Sequence, residues 1–195
     1  EVLSTVVGGT LQARLHPGEH AVVLGCGPVG LLFLQVFRAS GAGSLIAADI
    51  APFRLEFARR AGADRVVNPR EEDLEAVVRE VTGIGADVVV DAVGALMSTA
   101  LRLVRPAGTL ILFGMNAQAR AEIAQYDITR REIRVVGSYV GRHTFPLAIQ
   151  MLERGAIRPE ELVTHRLPLA RFGEGLEHLR RGEAVKVMMV PAIHE

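Results

Sequence analysis

Short apolar runs separated by amphipathic stretches recur along this 195-residue chain. Residues 21–24 (AVVL), 44–49 (SLIAAD), 65–67 (RVV), 86–90 (ADVVV) and 108–113 (GTLILF) are continuous apolar runs, and residues 134–137 (RVVG) read as a sixth. Continuous rather than alternating apolarity is the mark of strands covered on both faces. Between the runs, residues 31–39, 52–61, 71–81, 96–104 and 145–152 place apolar side chains at three- and four-residue spacing, which predicts helices. Strand and helix in alternation, joined by right-handed crossovers, predict an α/β protein with a doubly wound parallel sheet in three αβα layers. Leu3, Val6, Val7, Leu11 and Leu15 predict a leading helix that Gly8 and Gly9 weaken and that His16-Pro17-Gly18 ends. After Ile157 a polar connection, a strand over 162–167, a helix over 170–181 and a strand over 185–190 follow. These last elements either extend the sheet or form a second body. The chain thus divides into a lead-in over 1–19, a main domain over 20–157 and an extension over 158–195.

The first run opens the stretch HAVVLGCGPVG, residues 20–30, in which Gly25, Gly27 and Gly30 form G-x-G-x-x-G. A strand, a glycine turn and a helix in this order are the context of a Rossmann dinucleotide site. Gly25 permits the tight turn, Gly27 lets the backbone approach a pyrophosphate, and Gly30 lets helix and strand pack closely. Pro28 fits the first helical turn, where its missing N–H costs nothing. The free N–H groups and the positive end of that helix would then face phosphate oxygens. Asp49 lies 24 residues after Gly25, at the end of the second run, where a carboxylate accepts ribose hydroxyls and repels a 2′-phosphate. That favours NAD over NADP, although a solvated strand-end aspartate is the plainer alternative. Arg54, one turn further on, is open to an adenine or ribose contact and equally to plain exposure. Ligands of such sheets touch the carboxyl ends of several strands, which nominates Val93 and Gly94, Phe113 to Met115 through Gly114, and Ser138 with Tyr139.

Composition narrows the classes. Apolar residues make up 49% and charged residues 23%, and the formal net charge is zero, so no global field favours nucleic acid or an anionic membrane. Lys186 is the lone lysine among 22 basic residues, a compositional bias. No apolar run approaches a bilayer span and the first residues lack a signal-peptide layout, so the expectation is a soluble cytoplasmic protein. Cys26 is the only cysteine, which excludes an internal disulfide and a multi-cysteine zinc site. Its place at a helix N-terminus favours a thiolate, so a redox role and a packing role are both open to it. His16, His20, His143, His165, His178 and His194 are scattered without metal-ligand spacing and read as structural or surface residues. No residue is assigned a catalytic role.

Taken together, G-C-G-P-V-G, Asp49 with Arg54, D-A-V-G at 91–94, G-T-L-I-L-F-G at 108–114, V-G-S-Y at 136–139 and L-V-T-H-R-L-P-L with K-V-M-M resemble a known family. It is the coenzyme domain of the zinc-containing medium-chain dehydrogenases, the alcohol, sorbitol and threonine dehydrogenase group. The resemblance implies NAD contacts at Val29, Asp49, Arg54, Phe113, Gly114, Met115 and Tyr139. It places Glu1 where polyol and threonine dehydrogenases have a glutamate that coordinates or neighbours the zinc, although Val2 stands where proline is usual. It also implies a zinc- and substrate-binding half that precedes this region, so the chain resembles a coenzyme domain separated from its catalytic partner. The implied reaction is hydride transfer from a small-molecule alcohol to NAD, with zinc as Lewis acid. Two rivals stay open: a methyltransferase using S-adenosylmethionine, whose sites share the glycine turn and the acid, and a non-catalytic NAD-sensing module. The apolar terminal strand leaves a homo-oligomer open as well.

Overall fold

In the computed structural model, which describes residues 1–191, the apolar runs become parallel strands. His194 lies outside the described residues. The first of two units, Glu1–Ile157, runs α1 (Val2–Ala13), β1 (His20–Leu24), α2 (Pro28–Ala39), β2 (Ser44–Ala48), α3 (Pro52–Arg60), β3 (Arg65–Val67) and α4 (Leu74–Thr82). It continues with β4 (Ala86–Asp91), α5 (Met97–Leu103), β5 (Val104–Leu112), α6 (Gln125–Arg130), β6 (Arg134–Gly137) and α7 (Phe145–Glu153). The six strands lie in the order β3-β2-β1-β4-β5-β6, the doubly wound Rossmann arrangement. Strand order reverses between β1 and β4, so a crevice opens beyond their carboxyl ends.

Burial on both faces explains the unbroken apolarity of the strands. On one face Val22, Leu24, Ile46, Val89 and Leu110 pack with Leu74, Val77 and Val78 of α4 and with Ala100 and Leu103 of α5. On the other, α2 lies on β1 and β2 with Phe33, Leu34 and Phe37 fully buried, and α1 lies on α2 and β5. Of the two glycines that weaken α1 as an isolated helix, Gly9 has a packing reason. A Cβ on Gly9 would stand 2.9 Å from Phe33 Cζ and 3.3 Å from the Phe113 ring, so the missing side chain lets α1 settle onto both rings. Tertiary contact therefore offsets a propensity cost of about 1 kcal/mol per glycine.

Several boundaries differ from expectation. The fourth helix starts at Leu74 rather than 71, because Asp73 caps it by accepting from Glu75 N (2.9 Å) and Ala76 N (3.2 Å). The helix expected to reach residue 104 stops at Leu103, and β5 begins at Val104 instead of 108, since Val104 already pairs with Ala86. An irregularity between Ala86 and Val88 then absorbs the extra residues of β5. Helix α6 was not expected at all; it buries none of its six residues and so has no apolar stripe to betray it.

The second unit, from Arg158 onward, contains a 3₁₀ turn (Pro159–Leu162), β7 (Val163–Pro168), a second 3₁₀ turn (Leu169–Arg171), α8 (Phe172–Arg180) and β8 (Lys186–Val190). Strands β7 and β8 pair in parallel as a two-stranded sheet of their own, so this unit is a second body and not an extension of the main sheet. His165 and His178 stack within it at 4.3 Å, and His178 Nδ1 lies 3.1 Å from Glu183 Oε2.

Candidate cofactor crevice

The turn after β1 is built by backbone and one distant carboxylate. Gly25 takes φ +93°, a left-handed conformation suited to glycine, and its N–H donates to Ala48 O at 2.8 Å. Cys26 N donates to Asp49 Oδ2 (2.8 Å) and Ala51 N to Asp49 Oδ1 (2.9 Å), so the buried Asp49 ties the glycine turn to the start of α3. Helix α2 begins at Pro28 with Gly27 as an N-cap that supplies no side-chain acceptor. Its first N–H groups are thus left for something outside the chain. A Cβ on Gly30 would run into the Gly25 carbonyl oxygen, which explains that glycine by packing alone. Gly27 is different. Its backbone is ordinary (φ −71°, ψ −178°), and a Cβ there would meet no protein atom within 4 Å. Neither packing nor conformation asks for glycine at this position.

Beside the turn lies a cavity of about 530 Å³ walled by Leu24, Gly25, Asp49, Ile50, Arg54, Val93 and Leu96. Arg54 Nη1 stands 3.8 Å from Asp49 Oδ2, while its Nε is buried without a partner, a donor left for a ligand acceptor. Thr99 and Arg102 of α5 and Asp73 of the α4 cap also line the cavity, and the sequence pattern did not point to them. Their signal is weak, because polar residues at the ends of covering helices look like any solvated helix end.

Asp91 is the residue most clearly missed. It is 1% exposed; Oδ1 accepts from Val93 N (2.9 Å) and Gly94 N (2.8 Å), and Oδ2 accepts from Leu96 N (2.8 Å). Its own carbonyl takes Phe113 N (3.1 Å) and Gly114 N (2.8 Å), joining the loops after β4 and β5. An aspartate two residues before a glycine-bearing turn is an Asx-turn signal that could have found it.

The structure gathers Gly25, Gly27, Pro28, Val29, Gly30, Asp49, Arg54, Val93 and Gly94 around the carboxyl ends of β1, β2 and β4. The Phe113 ring instead packs edge-on against Phe33 at 4.9 Å. Met115 (75% exposed) and Tyr139 (69% exposed) stand on the loops after β5 and β6 and do not line the cavity. Glu1 is the exposed residue preceding α1, and no group of three or more metal-ligating side chains occurs among the described residues. No helix among them is long and apolar enough to cross a membrane.

Of the two roles open to Cys26, the structure supports packing: its side chain is fully buried. Burial, then the charge of Asp49, pushes its thiol well above the ordinary range, so it stays protonated at neutral pH. A thiol-specific reagent at pH 9 is expected to label Cys26 only upon unfolding; fast labelling of the folded chain would contradict its burial.

Comparison with known proteins fits this geometry. The model of the family described as zinc-binding dehydrogenase matches residues 28–154. The chain belongs to the zinc-binding dehydrogenase family. Among curated relatives, the erythritol/L-threitol dehydrogenase of Mycolicibacterium smegmatis is 34% identical over 199 residues, covering 98% of this chain and 54% of that protein. The sorbitol dehydrogenase of Bacillus subtilis is 31% identical over 196 residues, covering 98% and 56%. Among solved structures, the alcohol dehydrogenase TADH of Thermus sp. ATN1 superposes with a TM-score of 0.92 at 34% identity, covering 98% of this chain and 56% of that one. An alcohol dehydrogenase of Escherichia coli CFT073 complexed with NADH gives 0.90 at 27% identity, covering 97% and 57%. A Sinorhizobium meliloti 1021 dehydrogenase bound to NADP gives 0.88 at 27%, covering 98% and 58%. This zinc-binding dehydrogenase chain therefore spans about half the length of its relatives. The family membership favours the dehydrogenase reading over the methyltransferase one.

Proposed function

We propose that the first unit binds NAD as the coenzyme half of a dehydrogenase that oxidises a small alcohol or polyol. The observation that carries this is Gly27, a glycine that the fold does not need but a closely approaching pyrophosphate does. The uncapped start of α2 donates N–H groups to the phosphates, and Asp49 presents its remaining lone pairs to the adenosine ribose from within the cavity. Relatives in the fold are solved with both NADH and NADP, so the choice between the two rests on the Asp49 carboxylate, which repels a 2′-phosphate. Arg54 Nε supplies a donor to the same ribose or its neighbouring phosphate. Val29 in the first turn of α2 and Gly94 after β4 lie at the same carboxyl end of the sheet as the loops after β5 and β6.

When bound, the nicotinamide supplies the hydride acceptor, and the residues here orient it. The described residues do not assemble a zinc shell, and Glu1 alone does not make one, so a zinc in the intact enzyme would take its remaining ligands from outside them. The lead-in over 1–19 and the unit from Arg158 onward are taken to connect this half to a substrate-binding half, as the relatives' greater length supports.

Calorimetry on the chain and its Gly27→Ala variant tests the reading. NAD is expected to bind the parent, and the variant is expected to keep its unfolding midpoint while losing at least about tenfold in affinity, since the new methyl displaces phosphate and not protein. Unchanged NAD affinity in the variant would overturn it, as would displacement of NAD by equimolar S-adenosylmethionine.

A further inference from the structure

The segment after β6, residues 138–144, leaves the sheet at the same carboxyl end as the glycine turn and exposes Tyr139 and Val140, yet both of its ends are fastened to α1. At its start Ser138 is buried, and its Oγ accepts from Gln12 Nε2 at 3.1 Å, across 126 residues of sequence. Arg134 secures the same point by donating to Gln12 O at 3.1 Å. At its end the buried Thr144 donates Oγ1 to Ser4 O at 2.6 Å, across 140 residues. Between the two, Gly141 lies so close to α1 that a Cβ would stand 2.6 Å from Thr144 Oγ1 and 2.9 Å from Ser4 O. His143 holds φ +56°, a left-handed conformation that is strained for a non-glycine residue and persists where surroundings impose it.

The fastening points lie two turns apart on α1, at Ser4 and Gln12, and the exposed residues bulge between them. A loop held this way presents Tyr139 and Val140 in one position instead of many. The strand order places β2, β1, β4, β5 and β6 in succession, so a dinucleotide anchored at β1 with its adenosine over β2 directs its other half toward the loops after β5 and β6. We infer that Gln12 and Thr144 are positioning residues: α1 clamps the 138–144 loop at two points so that it meets the nicotinamide half of the cofactor already ordered. This inference rests on the NAD-binding reading above. Neither residue touches the adenosine cavity, so the clamp acts on one half of the cofactor only.

The test compares NADH with ADP-ribose, which carries the adenosine and pyrophosphate but no nicotinamide, on the parent chain and on Thr144→Val and Gln12→Met. Each variant removes a hydroxyl or amide donor at nearly constant shape. The expected result is a loss of about five- to tenfold in NADH affinity, with ADP-ribose affinity held within about twofold, and a changed fluorescence emission of bound NADH. Thr144→Ser, which keeps the hydroxyl, is expected to restore the parent values. If a variant weakens both ligands alike, or neither, the clamp is overturned while the NAD reading stands. If the parent binds neither ligand, the NAD reading falls and the clamp falls with it.

Discussion

Replacing Asp91 by alanine is expected to cost the first unit about 3–4 kcal/mol, which would lower the urea midpoint by roughly 1.5–2 M when followed by circular dichroism. The side chain is 1% exposed and satisfies three backbone N–H groups, those of Val93, Gly94 and Leu96. Alanine leaves all three without their acceptor in a loop whose shape those bonds define, and Val93 and Leu96 wall the cavity. Hydrogen bonds to a charged acceptor contribute about 1.5–3 kcal/mol each, and partial hydration of the freed loop keeps the sum below three times that. Asp91→Asn separates the contributions. Its carbonyl can still serve Val93 and Gly94, but its amide must face the Leu96 N–H, so about half the loss is expected. An alanine variant within about 1 kcal/mol of the parent would show that the loop holds its shape without the carboxylate.

Asp49→Ala is expected to have the largest effect on ligand binding, a fall in NAD affinity of at least about thirtyfold by calorimetry. Two contributions add. The Cys26 and Ala51 N–H groups lose their acceptor, which loosens the glycine turn for any dinucleotide. The ribose hydroxyls lose a charged acceptor, which affects NAD specifically. The preference for NAD over NADP is therefore expected to shrink by at least about tenfold, because the repulsion of a 2′-phosphate is gone and Arg54, now 3.8 Å from a carboxylate, is released from it. An unchanged preference would assign Asp49 to holding the turn alone.

The two aspartates show how far the sequence was legible. Continuous apolar runs and glycine breaks specified the sheet, because a strand buried on both faces has no freedom to alternate, and five of its helices announced themselves by period. Helix α6 left no trace, since a six-residue helix that packs only Ile128 against the core has no stripe to read. The glycine turn was legible as a motif, and Asp49 as the acid at the end of β2. Its bond to Cys26 N was not, because a contact spanning 23 residues depends on the register of β1 against β2. Asp91 is legible only as the first letter of D-A-V-G and not as a site residue, because the run 86–90 looks complete without it, although pairing carries β4 one residue further, with Asp91 opposite both Leu24 and Leu112. Cys26 follows its packing reading for an electrostatic reason: a helix N-terminus favours a thiolate only where water or a cation can reach it, and here burial and a neighbouring carboxylate oppose it. Helix α1 forms despite Gly9, because propensity counts the cost of a glycine but not the Phe33 and Phe113 rings that occupy its place.

The tether from Cys26 to Asp49 bears on how such a turn could be transplanted. A designer moving G-C-G-P-V-G into another strand–helix junction would carry the glycines, the φ-positive Gly25 among them, and leave behind the carboxylate that shapes the turn. The smallest portable piece is the whole β1–α2–β2 unit with the first turn of α3, because only there do the turn, its anchor and the Ala51 N–H that orients the anchor travel together.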